Sequence, residues 1–131
     1  MPLDFVGYDP ISARQTRGRM AYEFGHCAEA CVARHYAAQG YDLAQARWRG
    51  KGGEIDLIFH DGDGFIFVEV KASKTLSAAA AHLGPKQIAR ICASAEDYIG
   101  QQPKGLLTDM RIDVALVDGQ GHAEIIENAL M

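Results

Sequence analysis

From Arg14 to about Ala38, Met20, Phe24, Cys27, Cys31 and His35 recur at intervals of three and four, marking one face of a long helix that Gly40 ends. Beyond Gly40 the rhythm shortens to that of strands. Tyr41 to Trp48 reads as a first strand, and Arg49-Gly50-Lys51-Gly52-Gly53 as a flexible basic turn. Two apolar runs, Glu54 to Phe59 and Phe65 to Val70, flank His60-Asp61-Gly62-Asp63-Gly64, whose glycines suit a tight antiparallel hairpin. The alanine-rich stretch from Ala72 to Gly84 is compatible with a short helix or with a flap over the sheet edge. Pro85 suits the first turn of a helix on which Ile88, Ile91, Cys92, Ala95 and Tyr98 step by three and four. After a turn at Pro103 to Gly105, Met110, Ile112, Val114 and Leu116 alternate with Arg111, Asp113 and Ala115 as a further strand. Ala123 to Ile126 reads as a last edge strand.

A helix between the strand at 65–70 and the strand at 110 calls for parallel pairing and a right-handed crossover. The expected fold class is therefore α/β, with a mixed central sheet and helices against it. Residues 1–13, with Pro2, Gly7 and Pro10 and no periodicity, read as an irregular arm, and 14–131 as a single domain. The length of 131 residues fits that count, being enough for one core. With 48% apolar and 23% charged residues, the composition excludes a disordered tail and a disulfide-stapled miniprotein. No apolar run approaches the ~20 residues of a membrane span, and MPLDFVGYDP lacks the basic start and apolar stretch of a secretory signal. Three cysteines, an odd number, read as reduced thiols. A cytoplasmic protein with no membrane partner is expected.

The net charge of −4 conceals an asymmetry, because residues 14–52 hold seven cations against three acids while the remainder is acidic. A basic face beside an acidic one is one reading; an evenly solvated surface is the other.

The chemistry concentrates in Gly53-Glu54-Ile55-Asp56-Leu57-Ile58 and, across the hairpin, Phe67-Val68-Glu69-Val70-Lys71. Side chains two apart on a strand share a side, so Glu69 and Lys71 stand together. If the register brings Asp56 to that side, two carboxylates and an ammonium converge. Magnesium prefers such oxygen donors, commonly one or two carboxylates with waters and substrate phosphate. An ion held by Asp56 and Glu69 with ~2.1 Å bonds requires their oxygens to approach within about 5 Å. It would polarise a phosphoryl oxygen and acidify a bound water, and Lys71 would orient or help deprotonate that water or offset charge on the phosphate. The bland alternative is a solvated Glu-Lys pair contributing less than ~1 kcal/mol. Glu54 is expected on the opposite face and outside the metal set. Arg47, Arg49 and Lys51, leading into the metal strand, suit sequence-independent attraction to backbone phosphate.

Other signals carry less. Cys27, Cys31 and His35 sit at i, i+4, i+8, placing the outer two about 12 Å apart, too far for one tetrahedral zinc; buried core thiols are expected instead. His26 and His82 read as surface histidines. Asp61-Gly-Asp63-Gly begins like a calcium loop, but Phe65 takes the next ligand position.

Asp, a hairpin and then Glu-x-Lys resembles the PD-(D/E)xK nuclease superfamily, the restriction-endonuclease-like fold that includes archaeal Holliday-junction resolvases. Gly25-His-Cys-Ala-Glu29-Ala30, Gly40-Tyr41, Gly53-Glu-Ile-Asp56-Leu-Ile, Phe67-Val-Glu69-Val-Lys71, Lys86-Gln87 and Arg111-Ile-Asp113-Val114 occur in the order of the YraN-like family of predicted bacterial endonucleases, over roughly residues 18–117. The resemblance implies a three-layer fold and an endonuclease hydrolysing DNA phosphodiester bonds with Mg2+ or Mn2+, branched or single-stranded DNA being among its expected substrates. It implies Asp56 and Glu69 as ligands, the Val70 carbonyl as a third, Lys71 beside the nucleophilic water, Glu29 facing the cleft from the first helix, and Gln87 near a phosphate or water. A homodimer is expected on the same ground. The chain departs from the pattern at Ser73, where an arginine is common, which weakens phosphate anchoring there. A nucleic-acid-binding module without turnover, and a protein-interaction adaptor on the same fold, are the competing expectations.

Overall fold

Alternating side chains through residues 43–72 resolve into three strands, β1 (Leu43–Gly50), β2 (Gly53–Asp61) and β3 (Gly64–Ala72). The structure, a computed structural model, describes residues 27–129. The arm expected over 1–13 and the early part of the first helix, with Met20, Phe24 and His26, lie outside the described residues. Within them helix α1 runs over 27–38 and gives way at Gly40, whose φ of +93° suits glycine. β2 and β3 join through a two-residue turn in which Gly62 takes φ +59°, with Asp61 paired to Gly64. The turn is thus tighter than the five residues expected.

The Ala72–Gly84 stretch holds a short helix, α2 (Leu76–Ala80), begun by Thr75, whose hydroxyl accepts the Ala78 N–H at 3.1 Å. Helix α3 (Pro85–Gly100) follows with proline in its first turn, then β4 (Met110–Val117) and β5 (Ala123–Ile126). One five-stranded sheet has the order β1-β2-β3-β4-β5. β3 and β4 are parallel and every other neighbouring pair is antiparallel, so the crossover expected through α3 is present.

Helices cover both faces. On one, Ala28, Val32 and Tyr36 of α1 pack with Leu57, Phe59, Ile66, Val68, Ala115 and Val117. On the other, Ile91, Ala95, Tyr98 and Ile99 of α3 pack with Ile55, Ile58, Phe65, Phe67 and Ile112. Each fully buried side chain of this size contributes roughly 1.5–3 kcal/mol by leaving water. The expected helical stripe is corrected by one residue: the buried face of α1 is 28-32-36, whereas Cys27 and His35 are exposed and Cys31 is half-buried. The two stripes run side by side about 100° apart, and the one holding the large Tyr36 and β-branched Val32 fills the space above the sheet.

Candidate functional site

The hairpin of β1 and β2 turns over in its middle. Residues two apart on a regular strand share a face, yet Leu57 packs in the α1 core and Ile55 in the α3 core. The ladder runs through Ala46–Leu57 and Trp48–Ile55 and skips Arg47 and Asp56 between them, and Arg47 has φ +55°. The β2–β3 ladder likewise begins at Leu57–Val68. Asp56 therefore sits where the early part of β2 parts from β3, and its side chain replaces the missing rung: Oδ2 accepts the Val70 N–H at 2.7 Å.

Extending the β2–β3 register by one step sets Asp56 opposite Glu69, close enough for the charge of Glu69 to act on the Asp56 carboxyl. Glu69 is buried at 6% exposure. Its Oε2 accepts the Lys71 Nζ at 3.1 Å and the Gln87 amide at 2.7 Å. Burial, then the charge of Glu69, hold the Asp56 carboxyl far above the usual aspartate range, at about 8, against the opposing pull of the Val70 N–H; Glu29 adds a smaller upward push. At neutral pH Asp56 thus keeps its proton.

Asp56, Glu69 and Lys71 are brought together on one side, as the Glu-x-Lys spacing requires. Glu29 is close enough to raise Asp56 but is itself engaged by Arg47, Nε to Oε1 at 3.0 Å. Gln87 holds Glu69 rather than standing exposed. The three basic candidates separate: Arg47 is half-buried on Glu29, while Arg49 and Lys51 are exposed. Among the described residues no group of three His, Cys, Asp or Glu is arranged to hold a metal, so a divalent ion here would rest on Asp56 and Glu69 completed by a backbone carbonyl and water. That donor set is the hard-oxygen kind magnesium takes, and the proton on Asp56 is what a cation would displace.

A cavity of about 240 Å³ adjoins the pair. Arg49, Gly52, Gly53 and Glu54 form one wall, Gln87, Arg90 and Ile91 of α3 the other, and Glu69 connects them. Asp56 and Lys71 are not on its wall. Glu54, expected on the opposite face, lines the same cavity as Glu69, because the hairpin is folded against α3. The basic turn is likewise fastened rather than flexible: Ser94 Oγ donates to the Gly53 carbonyl at 2.8 Å, and the Lys51 N–H donates to Asp97 at 3.1 Å. Gly52 approaches α3 so closely that a Cβ would stand 2.2 Å from the Arg90 carbonyl oxygen. Arg90 was missed by sequence reasoning; its spacing of three from Gln87 on a helix was the available signal.

The model of uncharacterised protein family UPF0102 matches residues 28–117. The chain belongs to that family. A UPF0102 protein of Roseobacter denitrificans is 51% identical over 119 residues, covering 91% of this chain and 92% of that one. One from Ruegeria pomeroyi is 49% identical over the same length, covering 91% and 94%. One from Dinoroseobacter shibae is 41% identical, covering 91% and 89%. The UPF0102 match takes in Glu29, Asp56, Glu69, Lys71, Gln87 and Arg90 and stops at the end of β4. No helix among the described residues is long and apolar enough to cross a membrane.

Proposed function

We propose that this chain is a metal-dependent endonuclease of restriction-endonuclease-like fold that hydrolyses DNA phosphodiester bonds. The observation that carries the reading is the meeting of Asp56 and Glu69 at the parting of β2 and β3 with Lys71 Nζ 3.1 Å from Glu69. A buried like-charge pair is costly unless a cation or proton relieves it. Asp56 and Glu69, with the Val70 carbonyl, would hold Mg2+ or Mn2+, which when bound polarises the phosphoryl oxygen and lowers the pKa of a bound water. Gln87 fixes the Glu69 carboxylate, the Val70 N–H fixes Asp56, and Lys71 offsets negative charge where the phosphate reacts. Glu29 orients Arg47 at the α1 side of Asp56.

The test is a panel of linear, flapped and four-way DNA substrates with and without Mg2+. Metal-dependent cleavage is expected, falling at least ~100-fold in folded Asp56→Asn and Lys71→Ala proteins. DNA binding without cleavage in the unmodified protein would sink the enzymatic reading in favour of a binding module. Failure to bind either metal or DNA would leave the adaptor reading.

A further inference from the structure

We infer that Arg49 and Arg90 form a phosphate-holding subsite across the cavity beside the carboxylate pair. The two arginines come from opposite walls, Arg49 from the end of β1 and Arg90 from the second turn of α3, and both are exposed. Two other arginines of the sheet are committed: Arg47 binds Glu29, and Arg111 binds Asp113. Neither Arg49 nor Arg90 makes a side-chain hydrogen bond or ion pair among the described residues. The charge of Glu69 is already met by Lys71 and Gln87, so the remaining wall charges are two guanidiniums against Glu54.

Two forked guanidiniums suit the oxygens of a phosphodiester, which each can grip with paired N–H groups. A cavity of about 240 Å³ takes one nucleotide phosphate and not a duplex. It is also preformed, because Ser94, Asp97 and the close approach of Gly52 pin the hairpin wall to the helix wall. Since Asp56 and Lys71 stand off the cavity wall, the phosphate held there neighbours the reacting linkage rather than being it. That the phosphate belongs to a nucleic-acid strand rests on the endonuclease reading; the two-arginine subsite rests on the cavity.

The experiment measures binding of the full chain to a fluorescent single-stranded oligonucleotide over a range of salt, with magnesium withheld so that no strand is cut. Arg49→Ala and Arg90→Ala, shown to be folded by circular dichroism, should each lower the slope of log K against log salt by about 0.7, and the double variant by about twice that. Arg49→Lys and Arg90→Lys should keep the slope while weakening binding, since charge remains and the fork is lost. Lys104→Ala, away from the cavity, should change neither. Slopes unchanged in a protein that binds and cleaves DNA would overturn the subsite alone. Slopes that fall as expected, in a protein that cleaves nothing, would support the subsite and remove the catalytic reading. An unmodified protein that does not bind the oligonucleotide would overturn both.

Discussion

Asp113 is a carboxylate with no solvent exposure, and its neighbours satisfy it from three directions. Arg111 grips it with Nε at 2.9 Å and a second nitrogen at 3.0 Å, the Tyr36 hydroxyl donates at 2.6 Å, and the Asn128 N–H donates at 3.0 Å. Burial and then this bond push the Tyr36 phenol well above its usual range, so it remains a donor at any ordinary pH. The cluster ties α1 and the segment after β5 to β4. Asp113→Ala strands Arg111 and Tyr36 without their acceptor and should lower stability by about 3–5 kcal/mol. Tyr36→Phe, losing one bond to a charged group, should cost about 1.5–3 kcal/mol. Urea denaturation reads both, and a midpoint for Asp113→Ala matching the unmodified protein would refute the role. The sequence shows Arg111 and Asp113 two apart in an alternating strand, hence on one side, but alternation alone does not tell that this side is buried. β4 lies between helices on both faces, and in such a strand alternation no longer reports exposure. Glu69 and Lys71 were legible because strand parity alone sets them together, whereas Asp56 joins them only through the hairpin register, which the sequence left conditional.

At the scale of elements, the hairpin of β1 and β2 acts as a rigid wall only because it is fastened to α3. Five residues with three glycines look mobile when read as composition, yet Gly52 is small because another backbone lies against it. Gly52→Ala must move the hairpin off the Arg90 carbonyl, so it should cost about 1–3 kcal/mol. It should also weaken oligonucleotide binding, because the cavity walls separate. Gly100→Ala is the contrasting substitution. It ends α3 with nothing within reach of a new Cβ, and the helix gains about 0.5–1 kcal/mol from the stiffer residue. Equal melting shifts for the two variants would show that close approach at Gly52 is not what fixes the wall. The turning-over of the hairpin at Arg47 and Asp56 had no signature in the sequence, since an arginine at positive φ is disfavoured by local sterics and is imposed by packing on both faces. The helix at Leu76–Ala80 did have one, in Thr75 placed three residues before Ala78.

Across the whole molecule, the sheet brings residues from β2, β3 and α3 to one point, and the cost of doing so is a proton. Asp56 keeps its proton up to about pH 8 in the folded chain, held there by burial and by Glu69, whereas the unfolded chain releases it near pH 4. Between those limits the native state binds more protons than the unfolded state. Its stability must therefore fall as pH rises through that window, with a slope of at most about 1.4 kcal/mol per pH unit for a single proton. The contribution is complete below about pH 4 and spent above about pH 8. Asp56→Asn cannot titrate, yet its side-chain oxygen still accepts the Val70 N–H, so its stability curve should lack this descent. A divalent ion prefers the ionised pair, so Mg2+ should stabilise the unmodified protein increasingly as pH rises, by ~2.7 kcal/mol where its concentration is a hundred times Kd, and should leave Asp56→Asn nearly unmoved. Chemical denaturation between about pH 5 and pH 9, with and without Mg2+, separates these curves. Parallel profiles for the two proteins would mean that Asp56 is not the strained acid of this site, and an effect of Mg2+ equal in both would place the ion elsewhere.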